Sequence, residues 1–562
     1  MLSPLSVAVL ALPAILLYLY SALSYRRFKQ YAHFPRLTPS LLWGHLKAVN
    51  DFHQRRGEKN GQMDSAFGDM IESIGNPPIM LFDFRPAMHR PMVVIRSHEI
   101  AEQVSRQSKM WPYSTPKSDT MVYLTPLLGE RSIIMSQGSE WKDMRKHFNP
   151  GFAPQHLMGL MPIILEKTQA FLAKLDTLAH TGEVFQLEPL CTNLTFDIIG
   201  AVTMDVDLGA QLPEELQGDF IRNYKEFLLT YKESNGMLRW WEGPRQNRQR
   251  KRLSRSLNIF LEDLIRRKFE DIKQKQGLSS RSILALSLQD TEVLTQDVID
   301  YTKDQLKSFM FAGHDTTSIL LQWAFYELSR TPRAMKALRA ELEGLFGPDL
   351  SPESVRQGLL SRGEEITQGM AYTSAVIKET LRLYPPAGTA RVCPPGSNFH
   401  LQLPSGASLC VDGLVLYNSA PLIQRDPDVY GSTKDDFVPE RWLGNTDTSM
   451  ATNEDEKAGV GKAGESEIPA ASWRPFERGP RNCIGQELAN IEARVILASV
   501  VGKYVFEKVG LGEATRDEKG NPIIDERGQH KSNTQLYNTR QITSRPIDNM
   551  EVRVRLRDVS TD

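Results

Sequence analysis

The chain has 562 residues, of which 41% are hydrophobic, and its 67 lysines and arginines nearly balance its 68 aspartates and glutamates. This composition excludes wholesale disorder, and four cysteines are too few to form the disulfide framework of so long a chain. The net charge of -1 provides no general attraction to nucleic acid, so we expect no nucleic-acid partner.

An uncharged N-terminal segment predicts a transmembrane anchor over residues 1–25. The mostly apolar run Leu5–Leu23, at about 1.5 Å per residue, is close to the roughly 30 Å thickness of a hydrocarbon core. Arg26, Arg27 and Lys29 follow it, and the positive-inside rule keeps these cations, with the bulk of the chain, in the cytosol. A cleaved secretory signal is the alternative, but its basic N-terminal region is missing.

The remainder of the chain is divided into a hinge and one large domain. Residues 26–46 are basic and contain Pro35 and Pro39, which interrupt regular structure between anchor and body. Residues 47–562 show no second long apolar run and no repeat, so they are predicted to form one mainly helical domain. The segments 444–467 and 510–534 are poor in large apolar residues and are predicted to be surface loops.

The predicted elements of the body are mostly helices. In chain order they are a strand at Met92–Arg96, a helix from there to Gln107, helices at Gln155–Thr181, Gln217–Ser234, Arg248–Gln276, Thr295–Arg330, Pro332–Phe346 and Ala371–Leu383, and strands at Phe399–Leu403, Ser408–Val411 and Met550–Leu556. The Thr295–Arg330 segment is far longer than the usual helix of about 11 residues and has no heptad repeat. It is therefore predicted to be a central helix that crosses the whole domain.

The most specific motif is Phe476-Glu-Arg-Gly479-Pro-Arg481-Asn-Cys483-Ile-Gly485. Apolar residues at helical spacing follow it, so Cys483 comes just before a helix, where the dipole and free N–H groups stabilise a thiolate. Gly479 and Gly485 let the backbone approach a flat ligand, and Arg481 supplies a cation for its carboxylates. A structural cysteine in a glycine-rich turn is the alternative.

Phe476, Gly479, Arg481, Cys483 and Gly485 match the haem-binding loop of one family. On these residues the chain resembles a cytochrome P450, a haem-thiolate monooxygenase, over nearly its whole length after the anchor. The resemblance implies a mainly α fold, a helix-rich triangular prism with a small β-sheet region. It also implies haem b (iron protoporphyrin IX) as the cofactor, with Cys483 as the axial thiolate ligand of the iron.

A second match to the family is the pair Glu379 and Arg382. This spacing alone fits any exposed ion pair on a helix, but the segment Phe437–Trp442 follows the next family signature. The resemblance implies that Glu379, Arg382 and Arg441 form a buried charge network that fixes the loop of Cys483, so their loss is expected to release haem.

The long helix contains the sequence AGHDTT from Ala312 to Thr317. A glycine inside a helix costs about 1 kcal/mol relative to alanine, and a threonine there can bond to the carbonyl four residues earlier. The resemblance implies that Gly313 leaves room for O2 while Asp315 and Thr316 relay protons. The alternative is that small residues allow close helix packing. His314 is interpreted as a satisfied or solvated side chain and not as a ligand.

Other positions are assigned by family analogy. Trp141 and Arg145 match contacts to the haem propionates and Arg391 matches a third such cation, although a Trp/Arg pair is also common as cation–π packing. The segments expected to sense substrate are 110–123, 309–311, 387–390 and 537–542.

The segment from Trp240 to Arg255 combines two tryptophans with six basic residues and has no family motif. A solvated basic helix face is the preferred interpretation. Contact with the cytosolic membrane surface is the alternative.

The resemblance and the anchor together imply an enzyme of the endoplasmic reticulum membrane that inserts one atom of O2 into a small apolar substrate. The dinucleotide pattern G-x-G-x-x-G after a strand is missing, so electrons from NADPH are expected through a separate cytochrome P450 reductase, with cytochrome b5 as a second candidate donor.

Two alternatives to the monooxygenase remain. One is an isomerase or dehydratase without a redox partner, which the pair Asp315 and Thr316 argues against, and the other is a non-catalytic membrane-tethered haem sensor. The segments 391–395 and 412–431 resemble fungal enzymes that make secondary metabolites such as polyketides or mycotoxins.

Overall fold

The computed structural model describes residues 4–232, 244–274, 281–444, 468–539 and 542–558. Trp240 and Trp241, and nearly all of the predicted loop 444–467, lie outside the described residues. The basic residues that follow the two tryptophans begin a long helix, in which Arg250 is buried and Arg245 is exposed.

Helices account for most of the described chain. The α-helices are α1 Pro4–Ser24, α2 Leu46–Arg56, α3 Met63–Glu72, α4 His98–Ser105, α5 Thr125–Leu128, α6 Gly138–Phe148, α7 Pro154–Met158, α8 Met161–Thr181, α9 Leu187–Met204, α10 Asp219–Lys232, α11 Pro244–Lys273, α12 Ile283–Leu288, α13 Gln296–Arg330, α14 Pro332–Phe346, α15 Pro352–Gly369, α16 Ala371–Leu383, α17 Ala420–Ile423, α18 Pro427–Tyr430 and α19 Gln486–Val501. The strands are β1 Ile79–Phe82, β2 Met92–Ile95, β3 Phe185–Gln186, β4 Thr389–Val392, β5 His400–Gln402, β6 Ser408–Cys410, β7 Val415–Asn418, β8 Tyr504–Lys508 and β9 Glu551–Leu556.

The predicted central helix is confirmed as α13, which has 35 residues. The side chain of Thr295 caps it by accepting a hydrogen bond from the N–H of Val298 at 3.3 Å. It ends at Arg330 because Pro332 disfavours helical geometry in the residue before it. α9 is its principal neighbour and packs along its middle.

The sequence predicted the ends of some helices correctly and failed to indicate others. Helices α14 and α16 have the predicted ends. The predicted helix Gln155–Thr181 is instead two helices, α7 and α8, and a proline lies in the first turn of the second. The sequence patterns did not indicate α9, because every residue from Leu194 to Met204 is buried and the segment has no polar face.

The sheet region is small, as predicted. Four strands form one sheet in the order β1-β2-β7-β4, in which only the β2–β7 pair is parallel. The register pairs Met92 with Val415 and Arg391 with Leu416, which places Arg391 inside the protein. β3, β9 and β8 form a second sheet, and β5 pairs with β6.

The predicted loop 510–534 contains isolated bridges rather than strands, such as Ala514 with Ser532 and Ile524 with His530. It is tied to the body where Arg527 Nη1 lies 2.5 Å from Asp436 Oδ1. The segment is thus a surface loop with an ordered, ribbon-like shape.

The described part of the chain contains no helix that meets the length and apolarity needed to cross a membrane. The residues of the predicted hinge lie against the body. Arg27 is buried, with Nη1 at 2.6 Å from Asp83 Oδ2, and it donates hydrogen bonds to the carbonyl oxygens of Leu41 and Leu42.

Candidate active site

Cys483 lies in a tight loop directly before α19, as predicted. Its N–H donates to the carbonyl oxygen of Phe476 at 2.9 Å, and the N–H of Asn482 donates to that of Gly479 at 3.0 Å. A Cβ on Gly485 would lie 3.9 Å from Cys483 Sγ, so a side chain there would occupy space beside the sulfur. The loop therefore presents the thiol at the start of a helix.

The thiol of Cys483 faces a cavity of about 300 Å³ between this loop and α13. Burial raises the pKa of the thiol, and the N–H of Gly485 and the cations Arg145 and Lys117 only partly oppose this effect. The predicted stabilisation of the thiolate at the helix start is thus present, but burial has the larger effect on the pKa. A metal ion bound at Sγ would reverse the balance, because coordination deprotonates a thiol.

The cavity is walled mainly by apolar residues from distant segments. Each of the four segments expected to sense substrate contributes to it, through Met121, Phe309, Ala387 and Ile542, for example. Thr316 also lines the cavity, and its hydroxyl donates to the carbonyl oxygen of Ala312 at 2.7 Å, the back-bond that the sequence predicts.

Cations gather at one side of the cavity, where Lys117 and Arg481 line it and Arg391 lies close to both. Arg391 is fully buried, and its Nε and Nη2 atoms have no hydrogen-bond partner among the described residues. Burial, followed by repulsion from Arg391 and Arg481, holds the pKa of Lys117 well below its ordinary value. Burial and the neighbouring Arg391 and Arg145 lower the pKa of Arg481 to about 9. Unpaired buried cations indicate a site for an anionic ligand, and the two propionates of haem fit it.

The two predicted propionate contacts on α6 reach the cavity in different ways. Trp141 stacks beneath the guanidinium of Arg481 at 4.6 Å, so the cation–π alternative is realised with a different arginine. Arg145 donates to the carbonyl oxygen of Asn482 at 2.6 Å and to its side-chain oxygen at 3.0 Å, which joins α6 to the Cys483 loop. Lys117 was not recognised from the sequence, because no motif marks it.

Glu379 and Arg382 form the predicted buried network. Both are fully buried, and their side chains are joined by hydrogen bonds of 2.8 and 2.9 Å. Arg441 Nε lies 3.1 Å from Glu379, and Trp442 Nε1 donates to the same carboxylate at 2.9 Å. The carboxylate thus holds the segment after α18 against α16.

Gln424 and Arg474 connect this network to the Cys483 loop, and the sequence patterns did not indicate either residue. The amide of Gln424 donates to the carbonyl oxygen of Arg382 at 2.8 Å and accepts from the N–H of Arg474 at 2.7 Å. The guanidinium of Arg474 pairs with Glu477 at 2.5 Å, within the loop.

Two glycines are required by tertiary contacts that the sequence did not show. Gly479 has φ +74°, and a Cβ there would lie 2.3 Å from the carbonyl oxygen of Ser105, so the adjacent backbone by itself requires glycine. A Cβ on Gly313 would lie 2.5 Å from Cδ1 of Ile199 on α9. Gly313 is therefore explained by close helix packing, the alternative to room for O2.

The two residues that follow Gly313 do not line the cavity. His314 is buried, its Nδ1–H donates to the carbonyl oxygen of Met310 at 2.7 Å, and burial lowers its pKa to about 4, as suits a satisfied side chain. Asp315 is buried in an ion pair, with Oδ1 at 2.5 Å from Arg545 Nη2. Asp315 is thus close to Thr316 in sequence but lies outside the residues that line the cavity.

The fold, the thiol at a helix start and the unpaired cations define a haem-thiolate protein. A family model described as "Cytochrome P450" matches residues 78–528, and the chain belongs to this family. Membership makes the protein an oxidoreductase with a haem cofactor, a small organic substrate and a redox partner.

Several curated relatives cover most of the chain. Cytochrome P450 monooxygenase acrF of Aspergillus aculeatus is 29% identical over 82% of this chain and 89% of the relative. Cytochrome P450 monooxygenase polC of Polytolypa hystricis is 26% identical, with 86% and 84% covered. Cytochrome P450 monooxygenase FUM15 of Gibberella moniliformis is 25% identical, with 87% and 83% covered.

Replacement of Glu379 by glutamine tests the buried network. The substitution leaves the guanidinium of Arg382 buried without its counter-ion, which is expected to cost roughly 3–5 kcal/mol of unfolding free energy and to lower the haem bound per protein. Haem absorbance relative to protein absorbance measures the second effect. Glu365→Gln is the control, because Glu365 is 69% exposed in its pair with Arg362 and should change stability by less than about 1 kcal/mol. Full haem content and unchanged stability in Glu379→Gln would contradict the assigned role.

Replacement of Gly313 by alanine tests the helix contact. The added methyl group overpacks the contact with Ile199 and should lower the unfolding free energy by about 1–3 kcal/mol. In an Ile199→Ala background the same replacement should raise it by up to about 1 kcal/mol, because alanine favours helix more than glycine. An equal loss in both backgrounds would show that packing is not the reason for Gly313.

Proposed function

We propose that the protein is a monooxygenase that inserts one oxygen atom of O2 into an apolar organic substrate and reduces the other to water. The observation that carries the proposal is the position of Cys483 Sγ in the wall of a largely apolar cavity, which Thr316 on the central helix also lines. The haem supplies the activation of oxygen when bound, and the chain binds, orients and delivers protons.

Named residues are proposed to hold the haem. Cys483 would ligate the iron, and Phe476, Gly485, Trp141 and Arg145 belong to the loop and helix around it. Gly479 and Gly313 support this site indirectly, through the backbone of Ser105 and the side chain of Ile199.

The propionates are proposed to bind the cations whose donors are incompletely used. The Nε and Nη2 atoms of Arg391 have no hydrogen-bond partner among the described residues. The side-chain ammonium of Lys117 donates one hydrogen bond there, to Thr389 Oγ1 at 2.8 Å. Arg481 completes the set, although it also donates to the carbonyl oxygen of Ser136 at 2.9 Å.

The apolar walls suit an apolar substrate and exclude water from the cavity. Phe309, Phe311, Leu320 and Leu381 form much of this wall. Thr316 is proposed to hold a proton-donating hydroxyl inside it, and Asp315 to supply protons from outside. These two residues have the same roles in the prediction from the sequence.

Electrons are proposed to come from NADPH through a cytochrome P450 reductase, with cytochrome b5 as a further donor. The support is that no G-x-G-x-x-G pattern follows a predicted strand, since the run from Gly459 to Gly464 lies in the predicted surface loop 444–467. The three fungal relatives are named as monooxygenases, which supports this activity. A role in fungal secondary metabolism, with a polyketide or another mycotoxin precursor as substrate, is proposed from the resemblance of segments 391–395 and 412–431 to such enzymes.

We further propose that the segment 1–25, whose first eleven side chains lie outside the described ones, anchors the protein in the endoplasmic reticulum membrane, with the catalytic domain in the cytosol. The support is the apolar, uncharged sequence before Arg26 and the exposure of its large side chains. Leu16, Leu17 and Leu19 are each more than half exposed and make no contact that buries them against the body.

Replacement of Cys483 by serine tests the haem-thiolate assignment. The reduced, CO-bound protein should lose the absorption band typical of thiolate ligation, because the ligand sulfur is absent. Cys410→Ser is the control, since Cys410 is half-buried on β6 and does not line the cavity. Retention of the band in Cys483→Ser would refute the assignment.

The wild-type protein also separates the three candidate functions. A monooxygenase forms product only with NADPH and reductase, an isomerase or dehydratase forms product without them, and a haem sensor forms none.

Removal of residues 1–25 tests the anchor. The full chain should stay in the membrane pellet after an alkaline carbonate wash, because an apolar helix resists extraction, and the shortened chain should move to the supernatant. Release of the full chain by the same wash would contradict the anchor.

A further inference from the structure

A second cavity, of about 310 Å³, lies beside the first. We call it the outer chamber and the cavity at Cys483 the inner cavity. The outer chamber is lined by residues of α9, α10 and α13 and of the segment 542–545, and it differs in chemistry from the inner cavity. It carries the charged residues Glu188, Glu214, Lys225, Asp315 and Arg545. Such a lining suits water better than it suits an apolar substrate.

The wall between the two spaces is only one side chain thick in places. Among the described residues, Phe311, Ile542 and Thr543 line both the inner cavity and the outer chamber. The side chains of Phe311 and Ile542 are apolar and can neither donate nor accept a proton. The hydroxyl of Thr543 is thus the polar side-chain group that the described parts of both linings share.

Asp315 and Thr316 lie on opposite sides of this wall. Asp315 belongs to the outer chamber and Thr316 to the inner cavity, because successive residues of a helix point about 100° apart. The hydroxyl of Thr543 donates a short hydrogen bond to Oδ2 of Asp315. Thr543 is therefore placed between the carboxylate outside and the cavity inside.

The charges around Asp315 allow it to accept a proton. Arg545 lies between two carboxylates, with Nη1 at 2.5 Å from Glu188 Oε1 and Nη2 at 2.5 Å from Asp315 Oδ1. When Asp315 is protonated, Glu188 still neutralises the guanidinium. One cation shared by two carboxylates thus makes protonation of Asp315 less costly than in an isolated buried pair.

We propose that Thr543 is the proton-relay residue that connects the outer chamber to the inner cavity, with Arg545 and Glu188 as positioning residues for Asp315. This inference rests on the proposed monooxygenase function. A proton from bulk solvent passes along the waters of the outer chamber to Asp315, the protonated Asp315 gives it to the Thr543 oxygen, and Thr543 gives its own hydroxyl proton to a water of the inner cavity. One proton moves inward, no electron is transferred, and rotation of the Thr543 hydroxyl restores its hydrogen bond to Asp315.

The test compares three threonine variants with the wild type. Thr543→Val keeps the branched shape and removes the hydroxyl, Thr543→Ser restores the hydroxyl, and Thr168→Val is the matched control. Thr168 on α8 is also a fully buried threonine, its hydroxyl donates to the carbonyl oxygen of Ile164 at 2.7 Å, and it lines neither of the two spaces. Each variant is reconstituted with reductase, NADPH and dodecanoic acid as an apolar probe.

The readout is the hydrogen peroxide released per NADPH oxidised, together with its solvent deuterium isotope effect. A positioned proton donor contributes roughly 100-fold or more, and water can replace part of it, so the peroxide released per NADPH oxidised should rise by up to about tenfold in Thr543→Val. The isotope effect should change in this variant. Thr543→Ser and Thr168→Val should match the wild type in both measurements.

The result that overturns the inference is an unchanged ratio and isotope effect in Thr543→Val while Thr316→Ala is uncoupled. The proposed function then still stands, because Thr316 retains its role. Failure of the proposed function gives a different result, namely no reductase-dependent oxygen consumption by the wild type.

A crystal structure of the wild-type protein provides a second test that does not depend on the stability of any variant. Ordered waters should reach Asp315 from the outer chamber and should contact the Thr543 hydroxyl from the inner cavity. A dry inner side of Thr543 would also overturn the inference.

Discussion

The guanidinium of Arg382 is fully buried, and all five of its N–H groups donate hydrogen bonds. Glu379 accepts two of them, and the carbonyl oxygens of Gln424, Lys434 and Asp436 accept the other three. Because an uncompensated buried charge costs several kcal/mol, this residue holds two separate segments, one at Gln424 and one at Lys434 and Asp436, against α16. The side chain of Gln424 also accepts a hydrogen bond from the N–H of Arg474, which connects this network to the loop of Cys483. The position of the thiol therefore depends on an ion pair that is distant from it in sequence.

Arg391 differs from Arg382 in that its guanidinium is not fully hydrogen-bonded. It is equally buried, yet two of its nitrogen atoms have no partner in the described parts of the chain. Arg382 uses all of its N–H groups to stabilise the fold, whereas Arg391 has donors that suit an anionic ligand. Lys117 and Arg481 have hydrogen-bond partners, but repulsion from Arg391 contributes to the lowered pKa of both. An anionic ligand bound among these three cations would relieve this repulsion.

The central helix α13 divides the interior into an apolar space that suits substrate and a charged space that suits water. Thr316 belongs to the first and Asp315 to the second, although they are adjacent in sequence. The two side chains point about 100° apart around the helix axis, and at this position the difference places them in different spaces. The C-terminal segment supplies what the helix lacks, because Thr543 borders both spaces and Arg545 neutralises the carboxylate.

The sequence by itself determined the family, the thiolate loop and the helices whose ends carry local signals, such as α14 after Pro332. It also marked Gly313 and Gly479 but not the reason for them, because Ile199 and Ser105 come from distant parts of the chain. Only the tertiary structure decided which cations are unpaired, which side of α13 Asp315 faces and that Thr543 lies beside it. Those facts depend on long-range packing, in which the partner of a residue has no fixed spacing from it and leaves no local pattern.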